Sequence, residues 1–201
     1  ELFNEHLTKL IQGEEVHIPT FDFVTGTRKW NGRKLQVRPD QPIIIEGIHG
    51  LNDKLTSSIP KGRKFKIYVS ALTNLNLDHH TRISTTDVRM LRRMIRDNQF
   101  RGHDARATIE RWPSVRRGEH RHIFPFQEDA DVLFNSTLVY ELAVLKPMAQ
   151  ELLEDISPAD PQYSEARRLL RFLSHFYAVT DLSDIPCNSI LQEFLGGSCF
   201  E

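Results

Sequence analysis

The sequence predicts an α/β protein built on a parallel sheet of about three core strands. Short apolar runs typical of strands alternate with longer stretches in which apolar residues recur every three or four positions, as in amphipathic helices. This alternation favours a parallel sheet, because parallel neighbours need a crossover connection and a helix usually supplies it. One run, residues 43–45, is continuous Ile-Ile-Ile, which is typical of a strand covered on both faces.

The predicted elements follow from these patterns in chain order. We expect a helix over 1–12, an irregular strand or edge hairpin over 16–23, a short strand over 33–38, and core strands over 43–45, 65–70 and 130–134. We also expect helices over 51–59, 105–112, 140–153 and 165–177, a helix from 85 until Gly102, and a short helix between 188 and Gly196. Pro113 is expected to end the helix that begins near 105, because proline cannot donate a helical hydrogen bond.

Composition limits the class of protein. The chain has 201 residues, which suits one domain or one domain with an appendage, and its 26 basic and 27 acidic side chains nearly cancel. A balance near neutrality argues against nucleic acid as a general partner. Two cysteines, Cys187 and Cys199, are too few for a disulfide framework and favour a reducing cytoplasm. No apolar run is long enough to span a bilayer, so we expect no membrane partner.

Two polar features are candidates for a functional site. Glu46 directly follows the run at 43–45, and ligands of open α/β sheets bind at the carboxyl ends of strands. Residues 89–121 carry ten arginines against four acids, and arginine grips phosphate through a planar, permanently charged fork. We therefore predict an anionic ligand. The alternatives are that Glu46 is a turn acid and that the arginines form a solvated helical face with pairs such as Arg93–Asp97.

Five spaced motifs carry a resemblance to a known family. They are FDFVTGTR at 21–28, IIIEGI at 43–48, FKIYVS at 65–70, RRMIRDNQFRGHD at 92–104 and DADVLFNS at 129–136. In this order the chain resembles the uridine kinase/phosphoribulokinase family over about residues 1–140. The resemblance implies an incomplete P-loop NTPase-like sheet, with a substrate-binding hairpin region at 16–38, an arginine-rich lid region at 85–125 and a helical C-terminal part at 140–201.

The same resemblance implies an activity and a set of site residues. The activity is transfer of the γ-phosphoryl group of ATP, with Mg²⁺, to a sugar hydroxyl. It implies that Phe21, Asp22, Phe23, Arg93, His103 and Arg111 bind the substrate, that Arg96 and Arg101 close over the triphosphate, that Arg93, Arg96 and Arg101 serve catalysis, and that Glu46 lies beside the magnesium.

Departures from the family leave the acceptor open between a nucleoside and a phosphosugar. Gly26 stands where pyrimidine nucleoside kinases carry a base-reading histidine, His103 replaces a lid arginine, and Arg111 replaces a glutamine. Additional arginines at 111, 116 and 117 suit a substrate that already bears a phosphate.

The sequence also lacks a motif that the family requires. No G-x-x-x-x-G-K-[ST] loop, which cradles the phosphates, occurs in the 201 residues. In the family this loop and the aspartate base precede the matched segment, and the chain begins at Glu1 rather than at methionine. We therefore expect the C-terminal part of a kinase domain, inactive alone, with the missing N-terminal half as its partner.

Two other functions stay open at this stage. The chain could be a nucleic-acid or anionic-partner binding module on a kinase-like scaffold, or its C-terminal helices could serve regulation or a homo-oligomer. Two other readings are set aside. The pairs His79-His80 and His120/His122 lack a third metal ligand, and Cys199 lacks an activating base, which predicts an inert thiol.

Overall fold

The chain folds as two compact units, and the mixed α/β class is confirmed. The structure is a computed structural model that describes residues 1–22 and 25–200. The first unit consists of Glu1–Tyr68 and Glu119–Val132, and the second of Val69–Gly118 and Leu133–Glu201. Within the described residues, no helix is both long and apolar enough to cross a membrane.

The first unit begins with a helix and two small hairpin sheets. Its elements are α1 (Leu2–Ile11), β1 (Val16–His17), β2 (Thr20–Asp22), β3 (Thr27–Lys29) and β4 (Lys34–Leu35). Strand β1 pairs antiparallel with β4, and β2 pairs antiparallel with β3. Leu7 and Leu10 of α1 and Val16 of β1 are buried, so the helix predicted over 1–12 is confirmed with its apolar stripe inward.

The core strand predicted at 43–45 is wrong for this chain. These residues form no strand, and the side chain of Ile44 is 87% exposed. A central strand forms only where neighbours accept its hydrogen bonds on both edges and cover both its faces. The described residues of the first unit provide neither, so the run forms no strand, and Ile44 and Ile45 remain exposed.

The helix predicted over 51–59 is also wrong, because this segment forms a series of turns. Leu55 N donates to Asn52 O at 2.9 Å and Ile59 N donates to Thr56 O at 3.1 Å, which are bonds three residues apart. The side chain of Asn52 accepts from Lys54 N at 3.0 Å. Local bonds of this kind compete with the helical ladder, so apolar periodicity alone misjudged the segment.

A carboxylate with two lysines fixes these turns to the chain that leads into the next strand. Asp53 Oδ1 lies 2.8 Å from Lys64 Nζ and 3.0 Å from Lys66 Nζ. The hydrogen bond from Lys64, which has the larger effect, and the hydrogen bond from Lys66 together lower the pKa of Asp53 to about 2. The carboxylate is therefore ionised at neutral pH, and its single negative charge is shared between the two lysines.

The second unit is mainly helical. It contains α2 (Thr85–Arg101), the start of α3 (Ala105–His122), α4 (Glu141–Glu154), α5 (Tyr163–Leu173) and α6 (Gln192–Leu195). Its core joins α2, α4 and α5 through fully buried residues such as Leu91, Leu145 and Leu169. The predicted helices near 85, 140, 165 and 190 are confirmed, each with its apolar stripe facing this core.

Helix α3 is longer than the sequence predicted. It begins at the expected place, where Asp104 Oδ1 accepts from Ala107 N at 2.8 Å, but it runs through Pro113 to His122. A proline inside a helix removes one hydrogen bond and favours a kink, yet it does not forbid continuation. The expected stop at Pro113 is therefore wrong.

The remaining two strands form a small parallel sheet, β5 (Ile67–Ser70) with β6 (Val132–Asn135). In the first unit Val132 N donates to Lys66 O at 3.2 Å, and in the second Ser136 N donates to Ser70 O at 2.9 Å. The predicted strands at 65–70 and 130–134 are thus confirmed. Much of the apolar surface of both is exposed in the described chain: Phe65, Ile67, Val69, Val132, Leu133 and Phe134. A parallel sheet is ordinarily covered on both faces, so this surface is the kind that another segment covers.

Candidate functional site

The arginines of α2 occupy one side of a helix whose other side is core. Ser84 caps the helix by accepting from Asp87 N, and Gly102, with φ of 63°, ends it in a left-handed conformation that favours glycine. Val88, Leu91 and Met94 recur at helical spacing and are fully buried. The intervening Arg92, Arg93 and Arg96 are half-buried, which places their guanidiniums at the border of the core.

Arg92 is a structural residue that the sequence did not single out. Its Nε and Nη2 contact the two carboxylate oxygens of Glu141, each at 2.6 Å, and its Nη2 also donates to Ser136 O at 2.7 Å. The Phe194 ring lies under the same guanidinium at 5.6 Å. Glu141 is 1% exposed, so this two-pronged pair joins α2 to the start of α4 inside the unit.

Asp97 brings together two of the predicted site arginines. Its Oδ2 accepts from Arg93 Nε at 3.0 Å and its Oδ1 accepts from Arg101 Nη1 at 2.6 Å. The Asp97 side chain is 3% exposed, whereas those of Arg93 and Arg101 are 31% and 48% exposed. One buried carboxylate therefore orients two guanidiniums while their other N–H groups remain toward solvent. The helical pair Arg93–Asp97, given above as part of the alternative in which the arginines form a solvated helical face, belongs to this arrangement.

Arg96, the third predicted catalytic arginine, is paired with the C-terminal helix. Its Nη1 lies 2.5 Å from Glu193 Oε1 of α6. Gln99 Nε2 also donates to Phe194 O at 2.7 Å, so α6 lies against the exposed side of α2. The buried Nε of Arg96 has no hydrogen-bond partner among the described residues. No local sequence pattern indicates this contact, because Arg96 and Glu193 are 97 positions apart.

The structure also brings together His103 and Arg111, two predicted substrate residues. Arg111 Nη1 lies 2.9 Å from His103 Nε2, across the first turns of α3. Since a guanidinium only donates, this contact is a hydrogen bond in the His103 tautomer whose Nε2 is the acceptor. Asp104, beside them, accepts from Ala107 N, and this bond lowers the pKa of Asp104.

The predicted substrate hairpin lies in the first unit as the β2–β3 pair. Phe21 is opposite Arg28 and its ring is 56% exposed, while Asp22 forms an ion pair with Lys29. Phe23, also predicted to bind substrate, lies outside the described residues. Gly26 has φ of 65°, a conformation that other residues rarely adopt, so the hairpin turn itself favours glycine over the histidine of pyrimidine kinases.

Glu46 is the predicted magnesium residue, and its side chain is exposed in the irregular segment after 43–45. A carboxylate oxygen suits Mg²⁺, which often binds through one or two carboxylates and several waters. Among the described residues, no group of three or more His, Cys, Asp or Glu side chains forms a metal-binding cluster. The role of Glu46 therefore stays a prediction, as do the roles of the arginines in the second unit.

The fold is that of a P-loop-type kinase domain, a mixed α/β protein with flanking helices and small hairpins. The chain belongs to the phosphoribulokinase/uridine kinase family, whose sequence pattern matches residues 1–143. The resemblance seen in the five motifs is thereby confirmed.

Several uridine kinases are similar to this chain. The protein of Bacillus pumilus (strain SAFR-032) is 31% identical over 134 residues, which are 66% of this chain and 55% of that protein. The protein of Borrelia turicatae (strain 91E135) is 30% identical over 157 residues, or 75% of this chain and 68% of that protein. That of Staphylococcus carnosus (strain TM300) is 31% identical over 134 residues, or 66% and 56%. The chain thus spans between about half and two thirds of the relatives' length.

Proposed function

We propose that this chain provides the acceptor-binding and arginine-bearing part of a cytoplasmic, ATP-dependent kinase that phosphorylates a sugar hydroxyl of a nucleoside such as uridine. The observation that carries the proposal is the placement of Arg93 and Arg101 on the single buried carboxylate of Asp97. The family and the uridine kinase relatives support the reaction class.

Phosphoryl transfer gives these arginines a physical task. Negative charge spreads over the equatorial oxygens of the migrating group, and cations that are already fixed around it lower the barrier. Asp97 occupies one N–H of Arg93 and one of Arg101, so the remaining donors are oriented before any phosphate arrives. In this proposal Arg93 reaches the acceptor side and Arg101 the triphosphate, with Arg96 joining once Glu193 releases it.

The acceptor and the metal are assigned to residues of the first unit. The exposed Phe21 ring offers a face for a base, and Asp22 offers a carboxylate for a ribose hydroxyl when Lys29 moves aside. Glu46 offers the oxygen ligand that fits Mg²⁺, which would neutralise phosphate charge when bound. His103 and Arg111 are the residues that would distinguish a phosphosugar from a nucleoside, since a guanidinium has five N–H donors and the contact with His103 uses one of them.

We also propose that activity requires a second segment that contains the phosphate cradle. The 201 residues contain no G-x-x-x-x-G-K-[ST] loop, and most apolar side chains of β5 and β6 are exposed in the described chain. A strand, loop and helix carrying that motif would bind the phosphates and cover the sheet in one step. The isolated chain should therefore be inactive.

The test uses a fusion, called here the joined protein: residues 1–201 placed behind a strand–loop–helix segment that carries the motif from a uridine kinase. The joined protein should convert uridine and ATP to a phosphorylated nucleoside and ADP, measured by chromatography, whereas residues 1–201 alone should not. A second fusion in which the loop lysine is alanine is the matched control. Transfer by the isolated chain would contradict the cradle requirement.

A steep fall in RNA affinity with salt would instead favour the binding-module alternative. An RNA-binding surface loses affinity along a log–log salt slope, because each neutralised phosphate releases counterions. A nucleoside carries no phosphate, so its affinity should hardly change over the same range of salt. If the joined protein transfers no phosphoryl group and the chain binds RNA with such a slope, the kinase proposal fails.

A further inference from the structure

The two cysteines of the chain, Cys187 and Cys199, lie next to each other in the second unit. Cys199 N donates to Cys187 O at 3.1 Å, and both residues are exposed. Covalent geometry then keeps their Cα atoms within about 7 Å, the upper end of the range that a disulfide spans. A hydrogen bond with the neighbouring Cys187 thiol raises the pKa of Cys199, which agrees with the backbone contact between the two residues.

Two glycines bring the chain back to this meeting point. Helix α6 ends at Gly196, with φ of 80°, and Gly197 follows with φ of 84°. Successive residues in this region of φ are readily accommodated only by glycine, and just after them Cys199 N contacts Cys187 O. The segment from Cys187 to Cys199 is therefore a closed loop with α6 at its centre.

Helix α6, which lies inside this loop, carries the acid that pairs with Arg96 of α2. Glu193 of α6 contacts Arg96 at 2.5 Å, and the backbone of Phe194 accepts from Gln99 at 2.7 Å. Leu191 at the start of α6 is fully buried in the core. For Arg96 to turn toward a triphosphate, its ion pair with Glu193 must break, and a movement of α6 away from α2 would break it.

We propose that Cys187 and Cys199 form a reversible disulfide that locks α6 on α2 and withholds Arg96 from the site. Formation of the disulfide rests only on the contact between the two cysteines. Its effect on the reaction rests on the proposed kinase function, in which Arg96 binds the triphosphate.

The oxidant is a low-molecular-weight disulfide such as oxidised glutathione. A cysteine thiolate attacks one sulfur of that disulfide, forms a mixed disulfide and displaces the first glutathione thiolate. The second cysteine then loses its proton and attacks the protein sulfur of the mixed disulfide, which releases the second glutathione. Two thiols of the protein are oxidised by two electrons, and one molecule of oxidised glutathione is reduced to two thiols.

The exposure of both cysteines favours a reversible regulatory disulfide over a permanent structural one. Exposed disulfides are typically labile and open again in a reducing compartment, as a regulatory bond must. The proposal replaces the earlier expectation that Cys199 is inert, which was based on the absence of a nearby base and did not consider Cys187 as a neighbour.

The bond itself is tested by equilibrating residues 1–201 in glutathione buffers of graded ratio, quenching with acid and measuring the mass. The chain should lose two hydrogen atoms in one transition, and digestion should yield a single peptide pair linked through Cys187 and Cys199. The matched variants Cys187→Ser and Cys199→Ser should instead gain one glutathione each. Two glutathiones on the unmodified chain, or a disulfide-linked dimer, would overturn the proposal.

The lock is tested separately by amide hydrogen exchange and by activity. Oxidation should slow exchange at Leu195 and Gly196 by about tenfold or more, with no such change in Cys199→Ser. In the joined protein, oxidation should lower phosphoryl transfer reversibly, and Cys199→Ser should abolish that response. A disulfide that leaves exchange in α6 unchanged would refute the lock. A joined protein that is inactive even when reduced would refute the kinase proposal and leave the disulfide result intact.

Discussion

Replacing Arg92 with methionine should lower the free energy of unfolding of the second unit by about 3–5 kcal/mol. Methionine keeps an unbranched stem but removes the charge that faces Glu141, a carboxylate only 1% exposed. Glu141 would then keep only its hydrogen bond from Leu138 N, at 3.0 Å, against the cost of a buried, unpaired charge. The backbone carbonyl of Ser136 would lose its donor as well.

Urea unfolding measures this effect, with the fluorescence of the buried Trp112 as the reporter in a Trp30→Phe background. The matched control is Arg106→Met, because Arg106 forms an exposed pair with Asp104 and its replacement should change the free energy of unfolding little. Adding Glu141→Leu to Arg92→Met should recover much of the loss, because the uncompensated charge is then gone. Equal unfolding midpoints for Arg92→Met and Arg106→Met would contradict the buried-pair interpretation.

In the joined protein, Arg96→Ala should lower kcat about 100- to 1,000-fold and change the KM for uridine little. The reason is that a guanidinium placed on the triphosphate contributes mainly where charge develops in the transition state. Steady-state kinetics over a range of both substrates separate the two parameters. An increase in KM with kcat unchanged would show that Arg96 contributes to ground-state binding instead.

The companion variant Glu193→Gln distinguishes a catalytic arginine from a structural one. Glutamine removes the carboxylate of α6 that pairs with Arg96 of α2, but it preserves the size of the side chain. We expect its kcat to equal or exceed that of the unmodified joined protein, because Arg96 is released more readily. If Glu193→Gln were as slow as Arg96→Ala, the pair would be a structural contact and the assignment of Arg96 would fail.

Most helices could be predicted from the sequence, because each carries its own apolar stripe and stop signal. The stripe through Val88, Leu91 and Met94 and the stop at Gly102 define α2 without reference to any other segment. The run at 43–45 could not be judged in this way. Whether Ile-Ile-Ile becomes a strand depends on neighbours that the sequence of the run does not contain, and the described chain does not supply them.

The candidate site, like the fold, could be predicted where its features are local in the sequence. The arginine excess identified α2, and the spacing of Arg93 and Asp97 revealed one local pair. The contacts that set the behaviour of the other arginines are long-range: Glu141 lies 49 residues from Arg92, and Glu193 lies 97 from Arg96. No local pattern encodes such pairs, so they emerge only from the packed helices.

The kinase account requires a cradle segment that supplies the neighbours which the chain alone lacks, so that the run at 43–45, which forms no strand in the chain alone, becomes an interior strand in the joined protein. Amide hydrogen exchange at these three isoleucines, compared between the joined protein and residues 1–201 alone, tests this claim most directly. In the chain alone these amides belong to no strand and should exchange rapidly. In the joined protein we predict that exchange slows by roughly 1,000-fold as the strand pairs on both edges. Equally fast exchange in both proteins, with the amides of α2 protected in each, would contradict the account.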